Sequence, residues 1–252
     1  MGPLALVVGV DSDAVAGSLT TGLRGRAWEV IQLPPDSLAS TTLHVQGDAA
    51  FLAQRPLAAV AFCGFPTWSQ NRGFAPEDDA FCGAEARAAW LGVLQLRTVS
   101  AINRWDAEVW YSSSEWSVWR RRFVRAGVPL SAVSVGKAHA APEWTWLPWG
   151  GAGFQARPQA GACHALASAT LPARGLHRSI WCDGTVLTGD MSPVLMRAGT
   201  VLRQYGVRYA TLLLDEDERI VTATSSLIAP VEHTTTVAQR FLELYDADLH
   251  SR

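Results

Sequence analysis

The stretch Arg208 to Pro230, which reads RYATLLLDEDERIVTATSSLIAP, decides the fold. Tyr209 to Leu214 is apolar and β-prone, and Arg219 to Ala223 repeats that pattern. Between them lie four adjacent acidic residues, Asp215 to Glu218, which are most simply a solvated turn. The stretch therefore predicts two strands joined by an acidic turn, and the elements before it indicate which fold contains this hairpin.

Length and composition describe an ordinary globule. The 252 residues are 48% hydrophobic and 17% charged, with a net charge of -2, and they suffice for one large domain or two to three small α/β subdomains. A disordered tail or a basic nucleic-acid binder is not expected. The longest apolar runs, such as Leu4 to Val10 and Leu57 to Phe62, are too short to span a bilayer. The N-terminus also lacks signal-peptide features, so we expect a cytoplasmic protein without a membrane partner.

Tryptophan and lysine have unusual distributions. Of eleven tryptophans, five lie between Trp90 and Trp119 and three lie within residues 143–149. Core packing explains them most simply, and an aromatic groove for a peptide or flat ligand is the alternative. Lys137 is the only lysine, so a mechanism that needs two lysines is excluded.

Cysteine and histidine spacing does not predict a metal site. The four cysteines are widely separated without a C-x-x-C pair, which favours reduced thiols over a zinc ribbon or redox dithiol. The six histidines form no H-x-x-x-H pattern. A structural metal is therefore not expected.

The N-terminus has a β-α-β pattern. Leu4 to Val10 predicts a strand, Ser12 or Asp13 can cap a helix that runs to about Leu23, and Trp28 to Leu33 predicts the next strand. A connection of this kind places its two strands in a parallel sheet. The first turn does not contain the glycine fingerprint of a nucleotide site, so it is interpreted as structural.

The middle of the chain continues with short elements. Leu43 to Val45 predicts a strand, Ala49 to Gln54 a short helix and Ala58 to Phe62 another strand. Two helices follow, one over Glu85 to Leu96 and one from Glu115 to Ala126, where Gly127 ends it.

This order of elements resembles the ATP-grasp ligases, and among them the members that modify ribosomal peptides or extend peptide C-termini. The segments that carry the resemblance are Ala101-Ile102-Asn103-Arg104, Arg125-Ala126-Gly127-Val128-Pro129, Leu176 to Leu187, and Ala198 to Tyr205 with the Gly206-Val207-Arg208 that follows. It implies an α/β fold with an N-terminal parallel subdomain over 1–80, a helical connecting subdomain over 81–135 and a shortened α+β ATP-grasp remnant over 136–252.

The chemistry of the family requires a metal and a nucleotide. ATP-grasp enzymes activate a carboxylate as an acyl phosphate and pass it to an amine, so they hold Mg²⁺ with oxygen ligands and phosphate with cations. The resemblance implies an acidic ligand on the first hairpin strand and Glu-x-Asn on the second. Those positions are Leu212, Thr224 and Ser226 here, and none is a carboxylate.

The positions that would contact phosphate also depart from the family pattern. The Lys-Pro dipeptide of the family falls at Leu147-Pro148, and Trp149-Gly150-Gly151 follows, whose backbone amides could still meet an anion. Lys137 lies upstream of that position. Between Gly153 and Leu176 there is less chain than a full nucleotide-covering lobe needs, so we expect a shortened lid.

These departures predict a degenerate ATP-grasp protein without catalytic residues, metal or cofactor. It would function as a binding or accessory protein in a peptide or natural-product modification pathway. We expect it to bind a peptide, a small molecule or a partner enzyme, and a homo-oligomer is possible. Arg178 is a site candidate because its family counterpart faces the ligand cleft. The full set of candidate ligand-binding residues is Arg178, Lys137, Trp149, Gly150, Gly151 and Asp190.

Two alternatives remain. The first is an active carboxylate-amine ligase that uses ATP and Mg²⁺ in a reduced site, where Asp190, Asp215 or Asp217 and arginines replace the usual ligands. The second is an enzyme of unrelated chemistry that uses the old nucleotide cleft.

Overall fold

A computed structural model describes eight parts of the chain: residues 2–10, 12–63, 75–112, 115–136, 145–148, 165–168, 176–227 and 229–251. The strands are β1 Leu4–Val8, β2 Glu29–Leu33, β3 Leu43–Gln46, β4 Ala49–Leu52, β5 Arg55–Phe62, β6 Ser100–Ala101, β7 Val133–Gly136, β8 Thr145–Pro148, β9 Ala165–Ser168, β10 His177–Cys182, β11 Thr185–Val186, β12 Tyr209–Leu214 and β13 Ile220–Thr224. The helices are α1 Ala14–Gly25, α2 Pro76–Gln95, α3 Ala107–Trp110, α4 Glu115–Arg125, α5 Pro193–Gln204 and α6 Thr234–His250.

The chain separates into two units. Unit 1 contains residues 1–106 and 226–252, and unit 2 contains residues 107–225. Unit 1 has a mixed sheet in the order β2-β1-β5-β4-β3, with β6 paired to β5. Since β1 pairs in parallel with both β2 and β5, the predicted β-α-β opening is confirmed.

Helices α1 and α6 pack together in unit 1, and side chains near the end of α6 form hydrogen bonds with the sheet. Of the two capping residues predicted, Ser12 and Asp13, it is Asp13 that caps α1: its carboxylate accepts the N–H groups of Val15 and Ala16 at 2.9 and 3.1 Å. The Tyr245 hydroxyl donates to the Val60 carbonyl at 2.8 Å, and the Ser100 hydroxyl donates to the Asp248 carboxylate. Helix α6 is therefore hydrogen-bonded to β5 and β6, two strands that lie much earlier in the sequence.

The predicted short helix over Ala49 to Gln54 is wrong. Residues Ala49–Leu52 form β4, where burial alternates so that Ala50 and Leu52 face the core. The two-residue turn that follows holds Ala53 and Gln54 at φ of 50° and 64°. Because such turns usually contain Asn or Gly, neither of which occurs here, the sequence did not indicate this hairpin.

Unit 2 contains two antiparallel sheets, in the orders β11-β10-β12-β13 and β7-β9-β8. The predicted hairpin is confirmed, with β12 at the expected bounds. A bulge at Val221 interrupts its register, and the Arg120 guanidinium holds the bulge by donating to the carbonyls of Val221 and Ser131 at 3.0 and 2.9 Å. The bulge is therefore fixed from helix α4.

Six described tryptophans are core residues, as the simpler interpretation of their distribution expected. Trp28 is buried, and Trp90, Trp105, Trp110, Trp119 and Trp181 are fully buried, whereas Trp116 is half-buried. The tryptophans of residues 143–149 lie outside the side chains that the structure describes. In the described parts, Cys63, Cys82 and Cys182 are free thiols, as expected. None of the described helices combines the length and apolarity that a bilayer crossing requires.

A candidate ligand-binding face on the antiparallel sheet

The two faces of the β12–β13 hairpin carry different chemistry. Residues paired across antiparallel strands share a face, and Thr211 pairs with Thr224 while Leu213 pairs with Thr222. We call this side of the β10–β12–β13 sheet the hydroxyl face. Its side chains are those of Arg178, Ile180, Cys182, Tyr209, Thr211, Leu213, Thr222 and Thr224.

The register corrects one predicted position. Leu212 pairs with Ala223, so its side chain lies on the face opposite to that of Thr224. The grouping of Leu212 with Thr224 as parts of one former metal site is therefore wrong. The β12 residues on the side of Thr224 are Tyr209, Thr211 and Leu213, and none of them carries a carboxylate.

Helix α5 covers the opposite face. Trp181 pairs with Ala210 and so lies on the side of Leu212, where the α5 backbone approaches it at Gly199. The Arg203 guanidinium of the same helix lies 5.7 Å from the centroid of the Trp181 ring. The hydroxyl face is thus the side of the sheet turned away from α5.

Most hydroxyl groups of this face are buried. Thr211 is 3% exposed and Thr222 is 5% exposed, and the Tyr209 and Thr211 hydroxyl oxygens are 3.4 Å apart. Arg178, at the start of β10, is exposed and places a cation on the same face. The face therefore combines buried hydroxyl groups with an exposed guanidinium, and it contains no carboxylate for Mg²⁺.

Glu115, the first residue of α4, is the carboxylate that sequence reasoning missed. Its Oε1 accepts the Trp119 indole N–H at 2.8 Å and the Ser225 backbone N–H at 2.6 Å, as well as the Ser225 hydroxyl. Its Oε2 accepts the Thr224 hydroxyl at 3.0 Å. The i, i+4 spacing of Glu115 and Trp119 is visible in the sequence, but the contact with Thr224 is not.

These hydrogen bonds make Glu115 a link between α4 and the end of β13. Burial raises the pKa of Glu115 above its usual value, and the hydrogen bonds from Ser225, Trp119 and Thr224 oppose that rise. A carboxylate that already accepts four donors has little capacity left for a hard cation. Across the described residues, no three or more His, Cys, Asp or Glu side chains converge as metal ligands would.

The raised pKa of Glu115 predicts a pH dependence of stability. A carboxyl group with a higher pKa in the folded state binds its proton more tightly there, so stability falls as pH rises from the usual glutamate pKa through the folded-state pKa. Glu115→Gln cannot titrate and should lack this fall. Urea denaturation of both proteins over a pH series measures it, and a difference in unfolding free energy that stays constant with pH would contradict the assignment.

Asp215 differs from the predicted solvated turn. It is buried, and its Oδ1 accepts the backbone N–H groups of Asp217 and Arg219 at 3.0 and 2.8 Å. Such a side-chain bond to the backbone two residues ahead shapes the turn. Glu216, Asp217 and Glu218 are exposed, as expected.

The six predicted site residues fall into two groups. Arg178 lies on β10 and Asp190 lies in the segment before α5, and both are exposed within unit 2. The other four, Lys137, Trp149, Gly150 and Gly151, lie outside the described residues, as does most of the segment predicted to be a shortened lid.

Comparison with known proteins gives a result at the level of the fold. No protein-family model matches the chain, and no curated protein matches it either. Solved structures match over nearly the whole length. The ATP-grasp ligase PsnB, complexed with precursor peptide PsnA2 and AMPPNP, has a TM-score of 0.67 at 15% identity and covers 97% of this chain and 99% of its own.

Two further solved structures agree. The macrocyclase MdnC from Microcystis aeruginosa MRC, bound with precursor peptide MdnA, has a TM-score of 0.62 at 9% identity and covers 95% of this chain and 99% of its own. A RiPP-associated ATP-grasp ligase from Chryseobacterium gregarium, in complex with ADP and a leader and core peptide, has a TM-score of 0.55 at 10% identity and covers 96% and 97%. With its parallel-containing sheet and its antiparallel sheet, the chain has the fold of ATP-grasp ligases, as its order of elements predicted.

Proposed function

We propose that this protein is a non-catalytic binding or accessory protein of a peptide-modification pathway, which uses an ATP-grasp fold without performing Mg-ATP-dependent ligation. The composition of the hydroxyl face carries this proposal. Strands β12 and β13 place threonines and a leucine there, where the ligase chemistry needs carboxylates. Glu115, the carboxylate that reaches Thr224, is engaged by four internal donors.

The similar structures support a peptide as the partner. PsnB and MdnC, both of this fold, were each solved with a precursor peptide. The exposed Arg178 guanidinium on the hydroxyl face would bind a carboxylate or carbonyl oxygen of such a partner, and we assign Asp190 to the same ligand. Lys137, Trp149, Gly150 and Gly151 remain proposed contacts.

Titration with nucleotide tests the non-catalytic assignment. We expect calorimetry with ATP, and separately with ADP, to give no Mg²⁺-dependent heat of binding, because the hydroxyl face offers no pair of carboxylates for the cation. An active ATP-grasp ligase measured under the same conditions is the positive control. Mg²⁺-dependent binding in the micromolar range would contradict the proposal and favour an active ligase with a reduced site.

Co-purification tests the accessory role. The tagged protein, expressed with the enzymes and short peptides encoded beside its gene, should retain one of them under mild conditions. Recovery of the free protein alone would count against an accessory function. Because this assay does not depend on nucleotide, its outcome is separate from that of the titration.

A further inference from the structure

The outer edge of the unit 1 sheet forms a second candidate site. We propose that β3 accepts an extended peptide segment as an additional strand, with one uncharged aromatic or aliphatic side chain of that segment in a pocket on the β3–β4 hairpin. The inference rests on the proposed peptide partner, and it adds where and in which conformation the peptide binds.

The pocket has a volume of about 470 Å³, within the range of about 300–1,000 Å³ that is usual for ligand sites. Its apolar part is the ring of Phe51, which pairs across the hairpin with His44 at a centroid distance of 6.0 Å. The residues that line it are Thr42, His44, Gln46, Phe51, Ala53 and Gln54. All of them belong to unit 1.

The lining includes polar groups but no carboxylate, guanidinium or ammonium group. A hydroxyl, an imidazole and two amides surround the Phe51 ring. Within the described parts of the chain, the side chains of Thr42, His44, Gln46 and Gln54 form no hydrogen bond with another protein group. Their donors and acceptors therefore suit peptide amides rather than a charged ligand.

Strand β3 ends the sheet among the described strands, and its own sequence does not protect that edge. The loop between β3 and β4 has two residues and closes on the pair Gln46 and Ala49, so the next residue, Val45, directs its N–H and C=O groups away from β4. Proteins usually protect such an edge with charges or proline. Leu43–Gln46 contains neither, and Val45 is 48% exposed.

The edge and the pocket together select an extended peptide. A strand added to β3 would lie about 4.8 Å from it, and alternate side chains of that strand would stand beside His44 and Gln46 on the pocket face. A side chain there reaches Phe51, while the backbone of the peptide pairs with Val45. A compact small molecule would use the pocket but would not satisfy the backbone groups of the edge.

Peptide selection with a strand-blocking variant tests the inference. Short random peptides displayed on phage are selected on the wild-type protein and then measured on Val45→Pro, which removes the outward N–H but suits an edge strand. We expect binding to weaken about tenfold or more, since a backbone hydrogen bond is lost and the ring obstructs pairing. Val45→Thr, which keeps the N–H, should bind like the wild type.

Amide hydrogen exchange of the wild-type protein gives a measurement that does not depend on whether Val45→Pro folds. Addition of a selected peptide should slow exchange in residues 43–46. Equal binding to Val45→Pro, or protection confined to unit 2, would overturn the edge site while the peptide-binding function stands. If no peptide is recovered, the edge site fails, and the accessory role is decided separately by co-purification. A wild-type dimer that Val45→Pro dissociates would assign the edge to a second copy and overturn the inference.

Discussion

Glu115→Ala is expected to lower the free energy of unfolding by about 3 kcal/mol. The substitution removes the acceptor of four donors, and hydrogen bonds to a charged group are each worth roughly 1.5–3 kcal/mol net, part of which water recovers at this partly exposed position. Helix α4 would then lose its link to Thr224 and Ser225. Urea denaturation followed by tryptophan fluorescence measures the loss, because Trp119 is itself one of the donors.

Two control variants test whether the loss of stability comes from the hydrogen bonds of Glu115. Glu115→Gln keeps the volume and one acceptor oxygen, which can still accept the donors that contact Oε1, so it should cost clearly less than Glu115→Ala at neutral pH. Glu216→Ala, in the exposed part of the acidic turn, should change stability by less than about 0.5 kcal/mol. If Glu115→Ala were as mild as Glu216→Ala, Glu115 would not link α4 to β13.

Gly199→Ala is expected to destabilise unit 2 by about 3 kcal/mol or more. A Cβ atom at Gly199 would lie 2.4 Å from the Trp181 indole nitrogen and 2.6 Å from the neighbouring ring carbon, and Trp181 is fully buried against α5. Such overlap forces the helix away from the sheet, because a packed ring cannot move aside. Thermal unfolding should show a clear decrease in Tm.

Gly92→Ala is the matched control. Gly92 also lies inside a helix, but an added Cβ there would meet no atom within 4 Å. Since alanine favours helices over glycine by about 1 kcal/mol, Gly92→Ala should raise stability. Equal effects of the two substitutions would show that α5 does not pack closely on Trp181.

The sequence predicted those helices and strands that have a clear hydrophobic pattern. It did not predict contacts between residues far apart in the chain. The β-α-β opening and β12 were predicted because apolar runs and turn residues mark them locally. The face of Leu212 was wrong because Leu212, Leu213 and Leu214 are consecutive, and a run of three leucines does not reveal which side chains face the same way. Only the register between β12 and β13 shows which face the Leu212 side chain occupies.

The candidate site shows the same limit. Arg178 was predicted from the resemblance and lies on the hydroxyl face. Glu115 was predicted only as a helix start, because its partners Thr224 and Ser225 lie 109 and 110 residues away in the chain. The role of Asp215 was missed for another reason: a run of four acids indicates solvation, although the first of them bonds the turn backbone.

The return of α6 to the N-terminal sheet sets the order in which the protein can fold during synthesis. Tyr245 and Asp248 of α6 form hydrogen bonds with Val60 and Ser100, so unit 1 lacks these contacts until α6 has left the ribosome. The continuous unit 2 is complete earlier. We therefore expect unit 2 to be complete before unit 1 during synthesis, with the β1–β5 sheet lacking its α6 contacts until then.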